Sequence, residues 1–269
     1  HSLRRRQRQM CIRDRLYFRL SILSILKLMK RRINLAAVSD AHLPKYLDLF
    51  KSAVSVFDFS NIDLLILAGD MVLKGKIREY DTVLSVIRSR YKGPICAVFG
   101  NEEYQELEDE LRREYPEILW LDDSYEQIEI EGIKIGLVGS RGVLDKPTSW
   151  QAKHIPNITA IYSERLIKIR ELLSKAKKEN SQVVLITHYA VICDTLKGEK
   201  PQIWKYLGSA RLKTIVKKIK PTVVIHGHAH NSSVFSTRVE DVYVYNVALP
   251  ATKRITHIEV KRMDLSMFF

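Results

Sequence analysis

Residues 33–42 read INLAAVSDAH: Ile33–Val38 is an apolar run of strand length, and it stops at a polar cluster that holds Asp40 and His42. The same grammar recurs along the chain. Leu64–Ala68 runs into Gly69-Asp70, and Ile95–Phe99 into Gly100-Asn101-Glu102. Val183–Thr187 runs into His188, and Thr222–His226 into Gly227-His228-Ala229-His230. Runs that are apolar at successive positions predict strands buried on both faces, as in a parallel sheet covered by other layers. Ligands and catalytic groups in open α/β sheets gather at the carboxyl ends of such strands. Five polar loops are therefore expected to converge along one edge.

Amphipathic stretches lie between the strands. Tyr162, Leu166, Ile169, Leu173 and Ala176 are spaced by 4, 3, 4 and 3, which makes one apolar helix face. Ser209 is the predicted cap of a helix running to Ile219, and Pro221 ends it. Gln127–Val138 alternates apolar and polar residues about Gly132, the pattern of a hairpin with one polar face. Val242–Val247 and Ile255–Val260 are further strands. With no linker-like tract, repeat or low-complexity segment, the simplest organisation is a single α/β domain built on two sheets.

The chain of 269 residues is 46% hydrophobic and 28% charged, which places it among proteins that bury a core. Its three cysteines, Cys11, Cys96 and Cys193, form no CxxC pair, so neither a thiolate zinc site nor a redox dithiol is expected. Such sparse cysteine usage fits a reducing, cytoplasmic setting. The net charge of +13 suggests nucleic acid, but residues 1–28 alone hold seven Arg, one Lys and a single Asp. The string RQRQMCIRDR within them resembles translated sequencing-adapter sequence. Residues 1–28 are therefore expected to be a non-native or disordered basic extension, and 29–269 the domain. A basic arm and a secretory leader are the other readings. The apolar run 20–26 is too short to span a bilayer, and leader cleavage would fall beside the first strand. Support for a nucleic-acid partner is correspondingly weak, and no membrane association is expected.

Taken singly, each polar motif has a bland reading. Asp-x-His or Gly-Asp after a strand is usually a turn or a cap, and a lone His is usually a hydrogen-bonded loop residue. The GHAH segment, with two His one residue apart, is stronger, because a buried charged cluster without a counter-ion is costly. The ordered set of five, each after a strand, is stronger still.

In that order the motifs DxH, GD, GN, H and GHxH resemble the signature of the calcineurin-like metallophosphoesterases, over about Asn34 to Asn246. The resemblance implies a two-sheet β-sandwich flanked by α-helices and two divalent ions, Mn²⁺ foremost, with Fe, Zn²⁺ or Ni²⁺ as alternatives. One ion would take Asp40, His42, Asp70 and His230. The other would take Asp70, Asn101, His188 and His228. It implies hydrolysis of a phosphodiester or phosphomonoester by a hydroxide bridging the two ions, with Asp70 shared between them and Asn101 also meeting the substrate. Carboxylate and imidazole donors without thiolate suit such metals, and two ions can activate water and neutralise phosphate oxygens without a protein nucleophile.

One position departs from the pattern. Most members read GNH, and the His is placed near the leaving group; here Glu102 stands there, followed by Glu103. Glu102 is either a general acid or a cap of a helix starting near Glu103. Arg141 is a candidate clamp for a phosphate oxygen, or else a solvated turn arginine. His226 is a candidate support for the ligands around it. Leu144–Ile158, with Trp150 and His154, is the least regular stretch and would form a lid or substrate wall. A nuclease of the same family and an inactive metal-binding scaffold are the alternative functions.

Overall fold

A computed structural model describes residues 32–130 and 132–261; the expectations for residues 1–28 lie outside the described residues. The elements run in the order β1 (Arg32–Val38), α1 (Leu47–Val56), β2 (Leu64–Ala68), α2 (Glu79–Arg88), β3 (Ile95–Val98), α3 (Glu108–Glu114), β4 (Ile118–Leu121), β5 (Ser124–Ile130) and β6 (Ile133–Ser140). There follow α4 (Ser149–His154), α5 (Ile158–Glu179), β7 (Gln182–Thr187), β8 (Ala190–Val191), β9 (Gly208–Ser209), α6 (Ala210–Ile219), β10 (Val223–His226), β11 (Ser236–Val239), β12 (Val242–Asn246), α7 (Leu249–Thr252) and β13 (Thr256–Lys261).

Two mixed sheets form the centre. The first has the order β13-β1-β2-β3-β4 and the second β11-β12-β10-β7-β6-β5. The strands β1 to β4 are mutually parallel, as are β6, β7, β10 and β12. The antiparallel strands sit at the edges: β13 on β1, β11 on β12 and β5 on β6. Alternation of side chains splits each parallel strand between two apolar layers. Leu35 and Ala37 of β1 join Ile66, Val98, Leu137, Val184 and Ile186 between the sheets, while Ala36 and Val38 face Phe50, Tyr80, Val83 and Leu111 of the helical layer. The second sheet is covered in the same way by α5 and α6. The buried face of α5 consists of Ile158, Tyr162, Leu166, Ile169, Leu173 and Ala176, as its spacing predicts. Ser209 caps α6 by accepting from Leu212 N at 3.2 Å, and Lys220 in left-handed geometry with Pro221 behind it ends that helix.

Some elements differ from expectation. The stretch Leu144–Ile158 contains α4, whose capping box pairs Thr148 with Gln151 in both directions. The strand ILWL (β4) completes the first sheet, and its Trp120 stacks on Phe99 at 4.8 Å. Among the described residues no helix is long and apolar enough to cross a membrane.

At Gly139 of β6 the two sheets are in close contact. A Cβ there would overlap that of Leu121 and lie 2.9 Å from Val98 Cγ1, both fixed by the facing sheet. Gly139→Ala is therefore expected to destabilise the protein by about 1–3 kcal/mol through overpacking. A urea midpoint unchanged by this substitution would refute the close contact.

Candidate metal centre

The parallel strands deliver their polar loops to one rim. Asp40 and His42 follow β1, Asp70 follows β2, Asn101 follows β3, His188 follows β7, and His228 and His230 follow β10. The backbone ladder extends past the strand ends, with Asp40 N donating to Gly69 O at 3.0 Å and His42 N to Asp70 O at 3.0 Å. To aim their side chains inward, Asp40, His42, Asp70 and His228 all adopt left-handed backbone geometry, with φ between 44° and 68°. Each such non-glycine residue costs about 1 kcal/mol or more, which is typical of a functional site. At Gly100 a Cβ would overlap the Asp70 carboxylate, so only glycine lets the third motif pack on the second.

Two groups of donors result. Asp40, Asp70, His188 and His228 bring ligand atoms within 4.8 Å of one another, and so do Asp40, His42 and His230. In the first group His188 Nε2 lies 3.3 Å from Asp70 Oδ2, 3.1 Å from His228 Nδ1 and 3.1 Å from Asn101 Oδ1. In the second, His230 Nε2 is 2.8 Å from Asp40 Oδ1, and His42 Nε2 is 3.4 Å from His230 Nε2 and 3.9 Å from Asp70 Oδ2. Asp40 and Asp70 are fully buried. All seven residues of the expected ligand set are thus brought together. Imidazole nitrogens that face one another and two buried carboxylates, all pointing at common centres, are what divalent cations require, and the residues present fit two such ions.

Burial and the surrounding charges shift the titration of these carboxylates and imidazoles. Burial opposes the charge on Asp40, yet the His230 hydrogen bond and neighbouring imidazoles hold its carboxyl far below the usual range. Burial also opposes the charge on Asp70, but His188 holds that carboxyl low. Burial works against a cationic His188, yet Asp70 and Asp40 hold its pKa up at about 9. Burial pushes His228 down to about 3, which keeps it neutral as a ligand must be.

A further shell holds the donors. Ser39 Oγ donates to Asp40 Oδ2 at 2.5 Å, and His228 N to the same oxygen at 2.9 Å. The Asn246 amide donates to Ala229 O at 2.8 Å and so braces the GHAH loop. His226, buried and lowered to about 4 by burial, bonds Thr195 Oγ1 at 2.8 Å rather than the cluster.

The two glutamates after Asn101 depart from expectation. Neither caps a helix: α3 begins at Glu108, behind a short 3₁₀ turn at Gln105–Leu107. Glu102 N donates to Asp70 Oδ1 at 2.7 Å, and its carboxylate accepts from Lys74 N at 2.6 Å. Glu103 is the organising residue. Fully buried, it accepts through Oε2 from Asp70 N and Gly100 N at 2.7 and 2.8 Å, and through Oε1 from Met71 N and Tyr80 Oη at 2.8 and 3.1 Å. Sequence reasoning missed it because GNEE offers two equivalent carboxylates and no periodicity to separate them. Arg141 likewise differs from the free phosphate clamp. Its two terminal nitrogens are committed to Gly100 O, Glu103 O and the Glu108 carboxylate, so the side chain fastens the Asn101 loop.

Since both oxygens of Glu103 accept from donors, an amide in its place must set its own NH₂ against N–H groups in either orientation. Glu103→Gln, although isosteric, is expected to cost more than about 2 kcal/mol and to lower bound metal. Urea unfolding and elemental analysis check this, and wild-type values in both would sink the organising role.

Comparisons with known proteins bear on fold and family. No curated protein sequence matches the chain. Its fold is similar to that of a phosphopantetheinyl hydrolase from Mycobacterium tuberculosis, at 15% identity and a TM-score of 0.62, with 85% of this chain and 97% of that one covered. It is also similar to GAP50, the anchor in the inner membrane complex of Plasmodium, at 12% identity and a TM-score of 0.59 over 86% and 82% of the chains. A dimetal phosphatase from Danio rerio aligns at 9% identity and a TM-score of 0.51 over 80% and 86%. At such identities these likenesses speak of fold alone. The family model of calcineurin-like phosphoesterases matches residues 33–232, which is more than half of the sequence and spans every donor residue described above; the chain belongs to the calcineurin-like phosphoesterase family.

Proposed function

We propose that this protein is a binuclear metal-dependent hydrolase of phosphate esters, acting on a phosphodiester or a phosphomonoester. The observation that carries the reading is the convergence of two buried carboxylates, four imidazoles and Asn101 on one rim. Asp40, His42 and His230 would hold one ion and Asn101, His188 and His228 the other; Asp70, whose Oδ2 lies 3.3 Å from His188 Nε2 and 3.9 Å from His42 Nε2, would serve both, although Asp40 also belongs to both donor groups. Oxygen and nitrogen donors without thiolate favour Mn²⁺, with Fe, Zn²⁺ or Ni²⁺ as substitutes. When bound, such ions lower the pKa of water and neutralise phosphoryl oxygens. The chain's own contribution is positional: Glu103 and Arg141 fix the Asp70 and Asn101 loops, and Asn101, whose amide oxygen belongs with the ligands, would present its amide nitrogen to a phosphoryl oxygen. Buried free cysteines at positions 96 and 193 suit a cytoplasmic setting. An inactive scaffold is disfavoured, because every donor of the set is in place.

Asp70→Asn is the direct test. It removes the charge of the carboxylate shared by both ions, so turnover should vanish and metal content fall at both sites. Full activity with two retained ions would overturn the assignment.

Glu102 is assigned a positioning role, because its carboxylate is engaged by Lys74 N. With no dedicated proton donor, hydrolysis should depend steeply on leaving-group pKa, and aryl esters should far outpace alkyl ones. Glu102→Gln should then leave alkyl ester hydrolysis largely intact. A drop of roughly 10²–10⁴-fold confined to alkyl esters would make Glu102 the general acid instead.

A further inference from the structure

Beside the donor cluster lies a cavity of about 360 Å³, whose lining includes Asn101, Tyr104, Trp150, His154 and Tyr162. That size falls within the roughly 300–1,000 Å³ of small-molecule sites. It shares Asn101 with the centre, so a molecule bound there can reach the ions with one end. We propose that this cavity is a subsite for a planar aromatic ring carried by the organic part of the substrate, a proposal that rests on the phosphoesterase reading above.

Two observations point to a ring. Trp150 is 63% exposed and Tyr104 37% exposed, although large aromatic side chains are usually covered. The Trp150 indole already accepts one flat partner, the His154 imidazole, with ring centroids 4.8 Å apart and planes 24° apart. Its remaining exposure leaves ring surface for a second. A flexible alkyl chain would not use the stacking surface.

The platform is also fixed relative to the ions. Trp150 sits on α4, whose capping box holds Gln151, and Gln151 Nε2 donates to Tyr189 Oη at 2.9 Å. Tyr189 follows His188 in sequence and packs edge-on against His228, with ring centroids 5.0 Å apart. One chain of contacts therefore links the ring surface to two donor imidazoles.

The test separates ring recognition from leaving-group chemistry. Adenosine 5′-monophosphate and ribose 5-phosphate share a leaving alcohol type and differ in the ring. With the Mn²⁺-loaded full chain, kcat/KM should favour the nucleotide by roughly 5- to 150-fold, mostly through KM, the range that base–aromatic stacking supplies. Trp150→Ala should bring the ratio toward one. Quenching of tryptophan fluorescence by adenosine, absent in Trp150→Ala, reads the subsite without turnover. Benzimidazole in the same assay distinguishes a nucleobase preference from recognition of any fused ring, and binding of either supports the subsite. Quenching without hydrolysis of any ester would keep the subsite and discard the phosphoesterase reading. Hydrolysis with equal kcat/KM for both phosphates and no quenching would discard the subsite alone, as would a preference for octyl phosphate.

Discussion

Two carboxylates, Asp40 and Asp70, are buried with oxygens within 4.8 Å of each other, and nearly everything at this rim answers to that fact. At that separation the repulsion is on the order of 3–4 kcal/mol even at an effective dielectric of about 20. It is met from several directions. Ser39 Oγ and His228 N donate to Asp40, while Glu102 N donates to Asp70. Imidazoles from the second sheet close the remaining sides. Neutral hydrogen bonds do not supply enough opposite charge, and a protonated His188 supplies only part of it. A pair of divalent ions, with His188 neutral as a ligand, would supply it, which is the physical reason for reading the cluster as a candidate metal centre.

Glu103 shows how the same constraint extends outward. A third carboxylate buried beside Asp70 would add repulsion, yet it collects backbone N–H groups from both the Gly69-Asp70 and Gly100-Asn101 turns and a tyrosine hydroxyl. Those donors would otherwise be orphaned, because the turns are bent away from any strand partner. Arg141 then binds the carbonyl side of the same loop and pairs with Glu108, whose burial pushes its pKa up to about 7 against the opposing pull of Arg141. Both the amide and the carbonyl side of the loop that carries Asn101 are thus hydrogen-bonded.

Much of this was legible in the sequence, for definite reasons. Strands buried on both faces must be apolar at every position, so Leu64–Ala68 and Val183–Thr187 announce themselves, and the residues that follow them are the donors. The face of α5 was readable because its spacing has no other explanation. The strand Ile118–Leu121 was not, since four residues give too short a pattern. The Thr148–Gln151 capping box was present in the sequence but hidden by prolines at 147 and 156, which mark the stretch as irregular. The roles of Glu103 and Arg141 depend on which backbone atoms come near them, and no local pattern encodes that.

The donors come from both sheets, three strands of one and two of the other, and Asp40 is 190 residues from His230. Neither sheet alone holds a complete set. A growing chain therefore displays Asp40, Asp70 and Asn101 long before it makes GHAH, and these offer an ion only a weak, open foothold. On the proposed reading, selective loading would await the docking of the second sheet, so metal acquisition would be a late event in the life of the polypeptide. Once made, the centre would act as a rivet across the sandwich: an ion could not leave, nor the layers part, without disturbing both.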